Sequence, residues 1–557
     1  MLGSLLARSL SFTPRRSARS APTPRGAGLM LALVLAAVPL AVAPSARADD
    51  FVQSLNGPLA SFPAAKRSDV VLLPVVAALT PPPSVVWNPP AVADVRAAAL
   101  LPAKAPGWSE AESWATADPQ KAVLEALRKV TSIEKPREAF AFAQPYGEAA
   151  GADAFRAGLV TELGDGDLLA TAEFRWLPRL SQLEVLAHVE ATRLAASGDP
   201  KAAVELMLRL TIFGRSMMDR AFAREQEWGA RAMLMALQRI RDIAYEDLRS
   251  GSPKLKAEDM RDIARRLRPD GIINLATWRL PTGDRVAGEQ LVAKVMRRGE
   301  GADNAQFVSL VARIGAGADP LRRFSEAAKW DALAKLHANA ADTATQLANV
   351  HNDWGKRWAA NRWDPFLRTP SDFEKLDSTR FALLDATLRD VTTLFDLRDQ
   401  LFVEAQGTRV ALGLYGYRLW QNTWPPHITS IRPQFVLERE VDPYDLRQFE
   451  SLRYFVPGLR QAEIAKYQRD LVKEVNNRHD IQIFPQLFGA TYRQFGISLD
   501  AQTFVLYSAG PNGLYDGMIR ATQTQPDEQD RGDYLLWPPM LSLIRQNLQE
   551  QGRFANR

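Results

Sequence analysis

The 557-residue chain contains no cysteine. A disulfide framework, a thiol nucleophile, a lipobox anchor and a cysteine-ligated metal are therefore excluded. Histidine is scarce: His188, His337, His351, His427 and His479 are the whole supply, and none stands in an H-E-x-x-H or other close metal spacing. Glu184 and His188, four apart on one helix face, read as a surface pair. No serine elbow of the G-x-S-x-G type exists to complete a triad with His479-Asp480. Gly315-Ala316-Gly317 lacks the preceding strand of a nucleotide loop, and Gly164-Asp165-Gly166-Asp167 lacks the spacing of an EF-hand. Net charge is missing too. Residues 1–48 hold six arginines and no acid, and the remainder has 63 basic against 64 acidic residues. A global electrostatic attraction to nucleic acid or anionic lipid disappears with that segment.

What is present sets compartment and build. The arginine-bearing start leads into an apolar run from Ala27 to Ala43, broken by Pro39, and then Ala46-Arg47-Ala48 fits an A-x-A cleavage rule. This predicts a cleaved Sec-type signal peptide over 1–48 and a periplasmic or secreted product. An uncleaved anchor is the alternative, since about 17 apolar residues sit at the lower edge for spanning a bilayer. Arg15-Arg16 is not followed by the hydrophobic residues of a twin-arginine signal. After Asp49 no stretch is long and apolar enough to cross a membrane. At 46% hydrophobic residues the chain has enough apolar content for a buried core, and its length predicts roughly two to four domains.

Residues 49–115, rich in alanine and proline, read as extended chain, with pieces such as Val70–Ala78 able to join the body. A helical-hairpin domain is predicted over 116–375. Asp118-Pro119 and Asp199-Pro200 are helix starts, with the aspartate as N-cap and the proline at the first helical position. Helices are expected at 178–197, 200–217, 221–248 and 256–267, packed antiparallel through short turns in an irregular, tetratricopeptide-like way without a regular 34-residue period. Helical patches follow near 286–299, 303–313 and 321–360. Ser378–Gln421 reads as one long helix of about 65 Å, weakened at its end by Gly407, Gly413 and Gly416. Beyond Trp424-Pro425-Pro426, the runs Leu452–Val456, Phe504–Ser508 and Tyr534–Trp537 are strand-like, and Gly510-Pro511-Asn512-Gly513 is a turn. Gln461–Asn476 reads as a helix inserted between the first two runs, and 541–557 as a C-terminal tail. The fold class is thus mainly α, with a small α+β module over 376–540 carrying a short antiparallel sheet.

Part of this tail has a familiar order. Ala411-Leu412-Gly413-Leu414-Tyr415-Gly416-Tyr417-Arg418 comes first, then Trp424-Pro425 and Asp442-Pro443-Tyr444. Phe504-Val505-Leu506-Tyr507-Ser508-Ala509-Gly510-Pro511-Asn512-Gly513 and Asp530-Arg531-Gly532-Asp533-Tyr534 complete it. Over about 130 residues this resembles the soluble domain of type II secretion major pseudopilins, and the whole arrangement resembles a group of secreted bacterial helical-hairpin proteins. The resemblance implies a calcium loop after the Leu-Tyr-Ser strand, with Asp516, Asp530, Asp533 and Asn512 as oxygen donors; a solvated acidic loop is the alternative. It departs from the pseudopilin pattern in two ways. The preceding helix carries Asp385, Arg389, Asp390, Asp396, Arg398 and Asp399, so it cannot lie in a membrane or fibre core, and residues 457–497 have no counterpart.

Trp354 and Trp358, near His351, Trp330 and Trp363, have the spacing of a buried helix seam; a glycan platform is the alternative. No catalytic residue and no further cofactor is indicated. The expected role is a non-catalytic binding or assembly protein. Its helical hairpins would present a surface to a protein or peptide partner in the cell envelope, with a secretion or pilus-like machine as the assembly the resemblance implies. The rival is a secreted, polysaccharide-directed hydrolase with unlocated acidic residues.

Overall fold

The computed structural model describes residues 48–554 apart from 89–91, 94, 134, 136–137, 165–167, 269–270, 272, 297–306, 310–328, 448–449, 459–477, 488–489, 492 and 523–531. The expected signal peptide, the Gly315 segment and the Gln461–Asn476 helix lie outside these residues. Helix accounts for 57% of the chain and the sheet region is small, so the fold is mainly α. Residues from Ala46 onward form one compact unit.

The N-terminal segment departs from the extended chain expected of it. Among its helices are Ala48–Ala60, Ser68–Ala77, Val95–Leu100 and Trp108–Ala115. Burial overrides proline here. An interior proline costs a helix about 3 kcal/mol, but Pro74 is flanked by Leu72 and Val76, both wholly buried in the main core. Each such side chain contributes roughly 1.5–3 kcal/mol.

The hairpin helices fall where the apolar spacing puts them: Leu177–Ala196, Pro200–Met217, Ala223–Arg249 (the central helix) and Ala257–Arg266. Asp199 is the expected cap, its carboxylate accepting the Ala202 amide at 3.0 Å. Asp118 is not; it begins the helix Asp118–Val130 without a cap bond and lies exposed near Lys121, 3.8 Å away. Pro200–Met217 and the central helix meet backbone to backbone. A Cβ on Gly229 would stand 2.5 Å from the Gly214 carbonyl oxygen, and one on Gly214 would stand 2.8 Å from the Gly229 carbonyl.

The helix expected at Ser378–Gln421 is broken. Ala382–Thr387 is one short helix and Thr392–Gln421 (the long helix) another, about 45 Å at 1.5 Å per residue. Two aspartates bond the backbone locally, one ahead of the first helix and one at the break between them. Asp377 accepts the amides of Thr379 and Arg380, and Asp390 accepts that of Thr392. The glycines do not weaken the end of the long helix, which runs unbroken through them. Gly407 lies against Leu536 and Gly416 against Phe435, where a larger residue would collide.

The strands comprise three ribbons and one sheet. The ribbons pair β1 (Trp87–Asn88) with β2 (Val92–Ala93), β3 (Thr161–Gly164) with β4 (Leu168–Phe174), and β7 (Gln486–Leu487) with β8 (Ala490–Thr491). The sheet contains β5 (Arg453–Phe455), β6 (His479–Ile483), β9 (Phe495–Leu499), β10 (Val505–Ser508), β11 (Arg520–Thr522) and β12 (Asp533–Trp537), in the order β5-β10-β12-β11-β6-β9. Its outer pairs are antiparallel, while β11 runs parallel to both β12 and β6. The three expected strands are β5, β10 and β12. The stretch expected to be an insertion supplies β6 and β9, so it completes the sheet.

Every residue of β12 is buried, because the sheet is covered on both faces. Tyr534, Leu536 and Leu506 enter the main core with the long helix. Leu535, Val505, Tyr507, Ile481 and Ile483 pack with Met540, Leu541 and Ile544 in a second core. Those last residues belong to Met540–Glu550, the C-terminal helix, which stands where a tail was expected.

The glycine crossing yields a stability prediction. Gly229→Ala should destabilise the protein by roughly 1–3 kcal/mol, the usual range for overpacking, whereas Gly355→Ala, with open space around it, should not. Urea melts of the two variants check this.

Candidate functional site

The expected calcium loop joins β10, β11 and β12. Its organiser is Asp442, which was not among the expected ligands. The Asp442 carboxylate accepts the Ser508 hydroxyl at 2.6 Å, the Ala509 amide at 2.8 Å, the Tyr515 hydroxyl at 2.7 Å and the Tyr444 amide at 2.9 Å. The Asp-Pro-Tyr and Leu-Tyr-Ser elements are therefore in direct contact. Asp533, wholly buried, accepts the Asp516 amide at 3.0 Å and the Met518 amide at 2.6 Å. Burial pushes its carboxyl well above the ordinary carboxylate range. The two amides oppose that rise, and the charges of Asp516 and Asp442 add to it.

Asn512 turns its amide nitrogen to Asp516 at 3.3 Å, while its side-chain oxygen accepts the Leu514 amide. Asn512, Asp516 and Asp533 thus share one loop, and Asp530 lies outside the described residues. Among the described residues no three His, Asp or Glu side chains converge as a metal-binding group.

A buried charge cluster went unforeseen. The central helix carries Arg239 and Asp242, and the C-terminal helix brings Arg545 to them. Asp242 pairs with Arg239 and, at 2.7 Å, with Arg545, and it accepts the Ser542 hydroxyl. Arg545 also donates to the carbonyls of Ala99 and Leu100, at 2.9 and 3.2 Å, and Arg239 donates to Ala99. These carbonyls end the helix Val95–Leu100, where cations are favoured. Burial would raise the Asp242 carboxyl, but Arg545 and Arg239 outweigh it and hold it down at about 2.

This cluster lines a cleft of about 770 Å³ that also takes in Lys104, Glu246, Asp247 and Arg249. A second cleft of about 780 Å³ is lined by Tyr245, Arg418, Arg478, β9, Asp500 and Glu550. Arg249 and Gln546 belong to the walls of both.

The expected surface pair is buried instead. Glu184 and His188 lie inside Leu177–Ala196, and among the described residues neither ring nitrogen of His188 has a hydrogen-bond partner. Burial raises the Glu184 carboxyl to about 8. Burial, aided by Arg239 and opposed by Asp242, lowers His188 to about 3. A helix buried almost all round gives no sequence sign of which polar face is covered. His337 is a structural residue: its Nε2 accepts the Leu383 amide and its Nδ1 lies 2.9 Å from the Ala338 carbonyl. His479 lies 3.0 Å from the Met518 carbonyl. Trp354 is buried as the seam expects, edge-on to His351, while half-buried Trp358 packs edge-on to Trp278 and Phe395.

The Glu184 carboxyl sets a pH dependence. Its folded value is raised, so its contribution is fully present below the ordinary value near 4.5 and is lost as pH rises towards 8. Glu184→Gln should therefore gain stability relative to the parent between pH 5 and pH 8, by roughly 3 kcal/mol. Urea melts at both pH values measure the gap; an equal gap at each would contradict it.

Comparison of the chain with protein-family models, with curated proteins and with solved structures finds no match.

Proposed function

We propose that this chain is an extracytoplasmic, non-catalytic binding protein that holds a protein or peptide partner of the cell envelope along the two clefts described above. The observation that carries this is the engaged polar wall of the cleft of about 770 Å³. Asp242 pairs with Arg239 and Arg545 and accepts the Ser542 hydroxyl, so its oxygens are already held in place. A rigid polar wall suits recognition, because its groups are already ordered before a partner arrives.

The leader-like composition of residues 1–48 supports the location, and the Asp442–Ser508 contact supports a pseudopilin-like reading of the tail. Tetratricopeptide-like packing of the hairpin helices belongs to the same reading, as does docking to a secretion or pilus-like machine. So does a calcium ion at the Asp516–Asp533 loop. Its support is electrostatic: Asp516 and Asp442 both disfavour the charge on Asp533, and a cation would relieve that repulsion.

Two experiments test the proposal. Affinity capture from the native envelope should retain a partner with the parent chain and lose it with Arg249→Glu, because Arg249 lines both clefts. Sugar release from envelope polysaccharide by the purified chain would favour the hydrolase. For the ion, calcium at 100 times its dissociation constant should add about 2.7 kcal/mol relative to EDTA; superimposable melting curves would remove calcium from the proposal.

A further inference from the structure

The sheet ends on β9, and among the described residues no strand lies along its outer edge. Which backbone groups face outward follows from the register. The amides of Gln482 and Phe484 donate away from β9, to the carbonyls of Ile519 and Ala521, at 2.8 and 2.9 Å. In an antiparallel pair, alternate residues direct both N–H and C=O to the same neighbour. On β6, His479, Ile481 and Ile483 therefore face β9, where their partners are Leu499, Ile497 and Phe495. Gly496 and Ser498 are left with their backbone groups turned outward. Arg478 reaches this side, its guanidinium donating to the Ser498 carbonyl at 3.2 Å and to the Ser498 hydroxyl at 3.0 Å.

The edge is closed only in part: Arg478 covers the Ser498 carbonyl, while Gly496 and the Ser498 amide stay open among the described residues. Phe495-Gly496-Ile497-Ser498-Leu499 contains no lysine, proline or inward charge, and its pairing with β6 has no bulge. Gly496 and Ser498 are exposed and small, so a neighbouring chain can approach closely. The same edge walls the cleft of about 780 Å³, whose charged lining is Arg249, Arg418 and Arg478 against Asp500 and Glu550. One Asp500 oxygen is already spent on the Gln502 amide, at 3.0 Å. Arg418 and Arg478 also hold neighbouring groups, but three guanidiniums against two carboxylates leave the lining with a positive excess that favours an acidic occupant.

Resting on the reading of the chain as a protein- or peptide-binding protein, we infer that β9 takes up an extended acidic segment of a partner protein by strand addition. The backbone of that segment bonds the N–H and C=O of Gly496 and the N–H of Ser498, whose carbonyl Arg478 already holds, and its carboxylates face Arg249, Arg418 and Arg478. A five-residue strand spans about 17 Å, enough for two or three new backbone bonds and side chains on alternate sides.

The test uses the full chain and three labelled nonapeptides, followed by fluorescence anisotropy. One alternates threonine with glutamate, one threonine with lysine, and the third is the acidic peptide with alternate amides N-methylated. The acidic peptide should bind, more weakly as salt rises, and the lysine peptide should not. N-methylation should weaken binding about tenfold or more by removing backbone donors. Ser498→Pro removes the outward amide of β9, a position where proline leaves the existing ladder intact, and should weaken binding similarly with an unchanged melting temperature. Equal affinity of the methylated and unmethylated peptides, or no binding of any peptide, overturns strand addition. Should Ser498→Pro lower the melting temperature, the methylated peptide decides alone. Loss of the captured envelope partner with Arg249→Glu would still uphold the wider reading, so the two can fail separately.

Discussion

The arrangement of this protein depends on charges buried along the central helix, on more than one of its faces. Arg239 and Asp242 meet Arg545 of the C-terminal helix, while Arg241 pairs with Glu404 of the long helix. Gln238 and Tyr534 donate to the same Glu404, at 2.9 and 2.6 Å, so a sheet residue joins two helices at one carboxylate. At the helix start, Glu225 accepts from Arg220 and from the Tyr146 hydroxyl, and Arg220 donates to the Gln144 carbonyl. Near its end, Asp247 accepts the Tyr415 hydroxyl and the amides of Lys254 and Leu255. One helix thus holds partners drawn from nearly the whole chain.

Such pairs contribute little net stability, since desolvation offsets most of the Coulomb attraction. Their effect is on which arrangement is allowed. Apolar stripes can slide and repack at modest cost, but a buried guanidinium left without its carboxylate costs roughly 3–5 kcal/mol. Sliding the long helix by one turn would strand Arg241 and Glu404 together. Moving the C-terminal helix would strand Arg239 and Asp242, and would uncover the second core as well. Hydrophobic burial supplies the driving force for folding, and the ion pairs select one register from those it would tolerate.

This division explains what the sequence made legible. The helices at 177–196, 200–217, 223–249 and 257–266 are set by local apolar spacing and lie within a few residues of their expected bounds. β5, β10 and β12 were visible as short apolar runs. The strands β6 and β9 were not, because His-Asp-Ile-Gln-Ile and Phe-Gly-Ile-Ser-Leu mix polar and apolar residues, and they lie within and at the end of the presumed insertion over 457–497. At the candidate loop, Asn512, Asp516 and Asp533 are legible because a motif carries them. Asp442 was within reach, as the acid of a quoted Asp-Pro-Tyr. The Arg239–Asp242–Arg545 cluster was out of reach. Its members lie some 300 residues apart, and Arg239 and Asp242 between Leu237, Ile240 and Ile243 look like the wet side of an amphipathic helix.

The C-terminal helix shows how the core and the clefts share parts. Its apolar side, Met540, Leu541 and Ile544, covers a sheet face that would otherwise meet water. Its polar side gives Arg545 to the first cleft, Asn547 and Glu550 to the second, and Gln546 to the ridge between them. Because Arg545 is fixed to two backbone carbonyls and a carboxylate, the helix cannot rotate to trade one side for the other. Both clefts therefore share a wall whose orientation is set from inside the core. A ligand entering either one meets side chains whose positions were decided by packing, which is the condition under which polar groups give specificity without a large ordering cost.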